Sequence, residues 1–599
     1  MRDARSIALA AAFAFAALAC PARAVQLSTV DVGLNDAQRA TSEAVLAHAV
    51  ELLPPAWSAA LDQPLRVEWR DDLPAHVDGH YVPGTVKLRR ALLDESTPGA
   101  PSRAATAAVL HELAHAWDRS PHGGLSRDPR LLDLAGWSVA PLHAGGRVAT
   151  NDFRDRTPDD YERTDPREFI AVNLEHFLVD ADYACRRPAL ARWFASRAGM
   201  APPRTDCGAP AFVLPNTDGA ADASALLTID PSRVYAVDYL LAGAEKAPMS
   251  RWGHSMLRLV VCAPGHGLGP DCRLDIAWHV VLSFRAFVDD VQISSWRGLT
   301  GGYPSRLFVL PMPQVIDEYT KVELRDLTST PLRLSRDEIA SLLERAAQVH
   351  WSYDGRYRFV TRNCAVETWT LLHDGVPRLA TMDLGSLTPT GLLARLARAD
   401  VADTSVFDDV DSARRLGYRF DSQAQHFAQL LDAAKTALPI PERKVSDWLD
   451  LPPSQRARWI DRADLKATAA LLVLETASLR RAELRAADEL KHRLLSGRDP
   501  RIAELRSDTD AAIRLSARLA RPASFAPGGY GMPTMDERPA IASRVNDDAA
   551  HATEQEAALR TAAEAVLAPR ERVGVRDARE NVQRLGDRLR TLSAAAGSL

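Results

Sequence analysis

Beyond its N-terminus the sequence contains no apolar run long enough to cross a bilayer, which takes about 20 residues. It carries no large excess of one charge. Its 73 Lys+Arg and 78 Asp+Glu leave a net charge of −5, which gives no reason to expect a nucleic-acid partner. No tandem repeat stands out, so a solenoid is not indicated. Cysteine is scarce, at 6 residues in 599. A chain of this length exceeds a single core and points to roughly three or four domains.

What is present begins with a leader. Residues 1–24 read as a secretory signal peptide. Arg2 and Arg5 supply the basic start, Ile7 to Ala19 the apolar stretch, and Ala22-Arg23-Ala24 the small-x-small cleavage site. Leu18-Ala19-Cys20 also loosely resembles a lipoprotein box, which is the alternative. The expected location is the periplasm, where thiols pair. Cys185 with Cys207 and Cys262 with Cys272 each close a local loop, the second around a Pro/Gly-rich tip at 264–270. Cys364 is then left unpaired, either buried and inert or kept for its reactivity.

The pattern predicts an α+β chain in three parts. Residues 25–210 form a first domain, 230–400 a second, and 401–599 a mostly α-helical region. In the first, 25–60 look helical, Leu65–Trp69 and Tyr81–Leu88 extended, and Arg103–Arg119 and Asp165–Val179 helical, with 120–160 irregular. The second has short β-rich runs at Val234–Leu240, Ser255–Cys262, Leu274–Phe284 and Arg306–Leu310, then helices at Arg336–His350 and Cys364–His373. In the third, Ala467–Leu495 and Glu556–Leu592 are helical, separated by a Pro/Gly break at Arg521–Pro539. The simplest reading of the third part is a helical bundle or coiled hairpin rather than a third catalytic domain, and it is a candidate surface for a protein partner.

The first candidate site is His111-Glu112-Leu113-Ala114-His115, set in an Ala- and Leu-rich stretch without Gly or Pro. Two histidines four apart share a helix face and can hold one ion, with Glu112 beside it to take a proton from water. A catalytic zinc takes three protein ligands and leaves one position open. The Asp165–Val179 helix offers Glu168, with Glu175 and His176 as competing third ligands. The segment Tyr161-Glu162-Arg163-Thr164-Asp165-Pro166-Arg167-Glu168-Phe169-Ile170-Ala171 resembles the second helix of gluzincin-like peptidases of the anthrax lethal factor and MtfA types. That resemblance implies a zincin-like domain, with Glu168 as third ligand and Tyr161, seven residues earlier, as oxyanion stabiliser. It also makes residues 80–90 the substrate-side strand. His122 and His143, in loop sequence, carry no assigned role.

The second candidate site is Cys364, at the start of a predicted helix whose dipole favours a thiolate. Such a nucleophile needs a base and an orienting group. His254 at a strand start and His279 on the next run are the candidates, with Asp275 competing as orienter. Trp252-Gly253-His254-Ser255 together with Arg362-Asn363-Cys364-Ala365 resembles the Lnb N-terminal domain family of the bacterial periplasm, and more distantly the NlpC-type and lecithin:retinol acyltransferase enzymes. The resemblance implies a permuted papain-like α+β fold with Cys364 as nucleophile, His254 as base and His279 as third member. Ala365 departs from the small polar residue that the family places after Asn-Cys.

These readings combine into an envelope hydrolase with a zinc-dependent peptidase-like site and a thiol amide or ester hydrolase site. Peptide, lipid and cell-wall substrates all fit, and so does peripheral membrane association. The alternatives are a non-enzymatic scaffold with degenerate sites, or a thiol acyltransferase whose zinc is only structural.

Overall fold

The computed structural model describes residues 25–597, except 62, 75, 95–99, 122, 141–145, 202–204, 215–224, 245–251, 288–301 and 497–499. The expected leader with Cys20, and His122 and His143, lie outside the described residues. The chain forms two compact units. The first takes Met1–Asp128, Thr164–Tyr183 and Ala191–Pro203; the second takes Pro129–Arg163, Ala184–Leu190 and Arg204–Leu599. Residues 129–163 and 184–190, read above as part of the first domain, are therefore grouped with the second. Long-range contacts inside the second unit hold them there. Arg345 donates to the carbonyls of Asp133 and Leu134, and Arg156 to those of Ala526 and Gly531.

The first unit is built on a four-stranded sheet of β1 (Leu27–Val30), β2 (Leu65–Arg70), β3 (Gly79–Val82) and β4 (Thr85–Arg89), in the order β1-β2-β4-β3. β1, β2 and β4 run parallel, while β3 is an antiparallel edge. The helix α1 (Asp36–Leu52) lies between β1 and β2. Asn35 and Gln38 cap it reciprocally, and Ser42, Val45, Leu46 and Ala49 form its buried stripe. The segment expected to be continuously extended from Tyr81 to Leu88 is instead a hairpin. Pro83 and Gly84 break it, and Gly84 takes φ +78°.

The two motif helices form as expected. α2 (Arg103–Asp118) starts at Ser102, whose hydroxyl accepts from the amide of Ala105. α3 (Pro166–Val179) starts at Asp165, whose carboxylate accepts from the amides of Arg167 and Glu168, with Pro166 at its first position. An aromatic cluster packs behind them. The rings of Trp57 and Trp117 are 4.4 Å apart, and those of Phe177 and Phe194 5.4 Å apart.

The second unit centres on a seven-stranded, wholly antiparallel sheet. Its strands are β5 (Val234–Ala242), β6 (His254–Val261), β7 (Val280–Ala286), β8 (Tyr303–Pro311), β9 (Leu327–Pro331), β10 (Gly355–Tyr357) and β11 (Arg419–Phe420), in the order β10-β8-β7-β6-β5-β9-β11. On one face Tyr239, Leu257, Leu259 and Leu282 pack with residues of α4 (Arg336–Ser352) and α5 (Cys364–Gly375). On the other face Leu240, Met256, Val281 and Tyr319 form a separate core. Two expectations shift here. Leu274–Phe284 is a strand only from Val280, because Pro270–Trp278 fold into short 3-10 turns beside the Cys262–Cys272 disulfide. The sheet also continues past residue 400 to β11. Both disulfides form as paired above, and Cys364 is free and buried.

The C-terminal part is helical, with α6 (Leu465–Ser496), α7 (Pro500–Leu519), α8 (Arg538–Val566) and α9 (Pro569–Gly597). α6 lies against α9, and α7 against α8. The run expected as one helix over Glu556–Leu592 is two, since Pro569 lacks an N–H and opens a new helix. Beside α6, Arg456 makes two bonds to Glu475, at 2.7 and 2.9 Å, with both residues buried, and Asn581 of α9 joins them. Arg456→Ala leaves the buried Glu475 carboxylate without its counter-charge, with Asn581 as its remaining donor. It is expected to lower stability by about 3–5 kcal/mol, read from urea unfolding of the helical region.

Candidate metal and thiol sites

In the first unit, the packing of α3 against α2 brings a carboxylate between two imidazoles. Glu168 Oε2 lies 3.4 Å from His111 Nε2 and 3.4 Å from His115 Nε2. The three donor atoms lie within 4.8 Å of one another. Ligands about 2.0–2.1 Å from a tetrahedral zinc stand roughly 3.3 Å apart, so these spacings fit such an ion. Glu175, one of the competing third ligands, instead lies 3.6 Å from His111 Nδ1, on the far side of that ring. It is placed to orient the imidazole, as second carboxylates commonly do. His176 is not in the group.

The electrostatics match a cation position. Burial alone would lower the His111 pKa, but the Glu168 and Glu175 carboxylates outweigh it and hold it at about 10. Burial pushes Glu168 up, yet His111 and His115 pull it below the ordinary carboxylate range. Glu112 is buried, and its Oε2 has no hydrogen-bond partner among the described residues. Burial raises its pKa against the pull of His111 and His115. Glu112 thus brings a carboxylate oxygen with no partner among the described residues to the side of three converging donor atoms.

The edge strand β3 completes this site through a residue that sequence reading missed. A Cβ on Gly79 would stand 2.6 Å from Glu112 Oε1 and 2.8 Å from its Cγ. Only glycine lets the strand lie this close to Glu112. The only signal was a glycine two residues ahead of the extended segment read at Tyr81–Leu88, which is unremarkable without the contact. Tyr161, the expected oxyanion partner, stands exposed on the 3-10 turn Asp160–Arg163, which belongs to the second unit.

The thiol site differs from its expectation. Asn363 caps α5, and its Oδ1 accepts from the amides of Ala365 and Val366. The Cys364 amide donates to the Tyr357 hydroxyl at 3.2 Å. Burial raises the thiol pKa, and hydrogen bonding with Ser255 and Tyr357 only partly opposes it. The structure does not bring His254, the expected base, to the sulfur. Successive strand residues point to opposite faces, and Ser255 is the one facing Cys364. His254 points to the other face, with Nε2 3.0 Å from Ser283 Oγ and its ring stacked at 6.3 Å on Tyr319. Burial, with Arg285 and Arg325 nearby, takes its pKa down to about 3.

His279 is not the third member either. It precedes β7 rather than lying on a strand. Its Nδ1 accepts from Arg258 at 2.7 and 3.1 Å, and its Nε2 donates to the Cys272 carbonyl. Burial and the Arg258 charge lower its pKa to about 4. Asp275 accepts from the Ala263 amide and His266, and orients neither histidine. A further group, Asp133, His373 and Asp374, is held by Arg147 and Arg345 and reads as a buried ion network.

Two family models match the chain. Residues 221–399 match the Lnb N-terminal periplasmic domain. Residues 26–123 and 120–207 match a domain of unknown function, DUF7844. No curated protein and no solved structure matches. The Lnb match covers the antiparallel sheet from β5 to β10 together with α4 and α5. It agrees with the resemblance drawn from the Trp252–Ser255 and Arg362–Ala365 motifs. The matched domain is periplasmic, which fits the two disulfides, and no described helix is long and apolar enough to cross a membrane.

Two outcomes follow for these sites. Gly79→Ala is expected to push Glu112 off its position and to lower stability by about 1–3 kcal/mol, read from urea unfolding. Stability is expected to fall on acidification. An unfolded histidine titrates near 6.5, whereas folded His254 and His279 take up protons only near 3 and 4. Their contribution is complete above about pH 6.5 and is lost as pH falls toward 4, at up to about 1.4 kcal/mol per pH unit for each. Urea midpoints at pH 7.5 and 5 check this, and the slope should flatten in His254→Phe.

Proposed function

We propose that the first unit is a zincin-like, zinc-dependent peptidase acting in the periplasm. The observation that carries this reading is the Glu168 carboxylate lying between His111 and His115, with the unpartnered Glu112 oxygen beside them. His111, His115 and Glu168 would hold the ion. When bound, the ion supplies Lewis-acid polarisation of the scissile carbonyl and of water. Glu112 is placed to accept the proton of the attacking water and to return it to the leaving amine. Glu175 keeps the His111 ring in orientation. β3, last in its sheet, offers backbone to an extended peptide, which favours a peptide over a lipid substrate.

The Lnb-like segment is read as a permuted papain-like domain. In support, Cys364 opens a helix packed on an antiparallel sheet, after an Asn cap. Its geometry favours binding or architecture over thiol hydrolysis, since neither His254 nor His279 faces the sulfur. Alkylation of Cys364 should therefore have a midpoint above an ordinary thiol's ~8.5 and be unchanged by His254→Ala. A midpoint near 7 that rises in that variant would restore the thiol hydrolase.

The peptidase reading is tested by metal analysis and peptide cleavage together. The wild-type chain should bind about one zinc, and His111→Ala should lose it. Glu112→Gln should keep the zinc and lose at least about 10²-fold in turnover. A well-folded chain that binds no metal would sink the proposal.

A further inference from the structure

We propose that Arg119 is the substrate-reading cation of the metal site, and that the site takes peptides carrying a carboxylate, supplied by an acidic side chain on the N-terminal side of the cleaved bond. This deepens the peptidase reading and rests on it for the position of the cleaved bond.

His111 and His115 lie on one face in the C-terminal half of α2, and Arg119, four residues further on, caps the helix end with helical backbone angles, so it continues that face. Arg119 is exposed. Its guanidinium sits over the ring of Tyr81, 5.4 Å from the centroid, and its Nη1 makes a long contact of 3.5 Å to the Tyr81 carbonyl. No carboxylate pairs with it among the described residues. In the neighbouring sheet Arg70 is matched with Asp72 and Arg89 with Asp78, whereas Lys87 and Arg66 stand without an ion pair among the described residues.

The register of the hairpin shows where this cation stands. Arg89 donates to the Asp78 carbonyl at 2.9 Å, so Asp78 and Arg89 are a hydrogen-bonded pair. Antiparallel pairs alternate, so His80–Lys87 and Val82–Thr85 are bonded inward, while Gly79–Leu88 and Tyr81–Val86 are not. The N–H and C=O groups of Gly79 and Tyr81 therefore point outward, to the open edge of β3. The Tyr81 carbonyl that Arg119 touches is one of these outward groups. Arg119 thus lies along the line on which a peptide strand adds to the sheet.

Direction and face follow from the same register. β3 runs from Gly79, against Glu112, to Tyr81, against Arg119. A peptide added antiparallel runs the other way, so its residue facing Tyr81 is two positions N-terminal to the one facing Gly79. Cross-strand partners project to the same face. The Gly79 Cβ direction points to Glu112, and Tyr81, two residues on, shares that face. The substrate side chain opposite Tyr81 therefore points toward Arg119, where a carboxylate pairs with the guanidinium.

The test separates this proposal from the peptidase reading by measuring binding without turnover. Fluorescein-labelled, C-amidated Ala/Val heptapeptides carry one Glu scanned through the sequence. Matched peptides carry Gln or Lys, and one Gln peptide has a free C-terminal carboxylate. Anisotropy is read on the full zinc-loaded chain with Glu112→Gln. At one Glu position, binding is expected to be at least tenfold tighter than for Gln. Adding Arg119→Ala should remove that preference, and adding Arg119→Glu should turn it toward Lys. If the free-acid Gln peptide shows the Arg119-dependent gain instead, the carboxylate is read at the chain terminus and the side-chain assignment falls. Equal binding of Glu and Gln peptides, a preference that survives Arg119→Ala, or no peptide binding overturns the role of Arg119. Hydrolysis of neutral peptides by the wild type, with no acidic preference, keeps the peptidase and loses Arg119. The preference without any hydrolysis does the reverse.

Discussion

A half-buried carboxylate lying between two imidazoles favours positive charge among them, and the first unit is arranged around that contact. Glu168 reaches His111 and His115 because α3 packs on α2. Without an ion, protons must take its place, and the raised His111 pKa reflects this. In the proposed metal-bound state the same donors would be the ligands. The aromatic packing of Trp57, Trp117, Phe177 and Phe194 links the two helices behind these donors. The edge strand closes the arrangement by laying Gly79 on Glu112.

In the second unit the governing constraint is the two-residue period of a strand buried on both faces. It separates adjacent residues more effectively than distance does. Ser255 meets Cys364, and His254, its neighbour, enters a different core with Tyr319 and Ser283. His279 is claimed by a buried cluster in which Arg258 and Arg273 surround Asp238, with Ser329 and the Gly417 carbonyl taking further bonds. Two cations around one carboxylate need neutral acceptors, and an unprotonated His279 is one of them.

Helix positions were legible because local signals set them. Ser102, Asp165 and Asn363 act as caps in the structure, and each stands where the reading began a helix. The cysteine pairs were legible from spacing. Less legible were segments whose conformation depends on a distant partner: Pro270–Trp278 beside its disulfide, residues 129–163 drawn to the second unit by Arg345 and Arg156, and the short β11 far beyond the expected boundary.

By itself, the sequence determined that His111, Glu112 and His115 share one short helix, since helical periodicity is local and nothing in that stretch interrupts it. It also determined which cysteines pair. Tertiary structure alone decided that Glu168 rather than Glu175 completes the donor set, that Gly79 lies against Glu112, and that Cys364 faces Ser255 instead of a histidine. Each of these depends on the rotation of a helix or the register of a strand. One residue of slip reverses the outcome without altering composition or spacing.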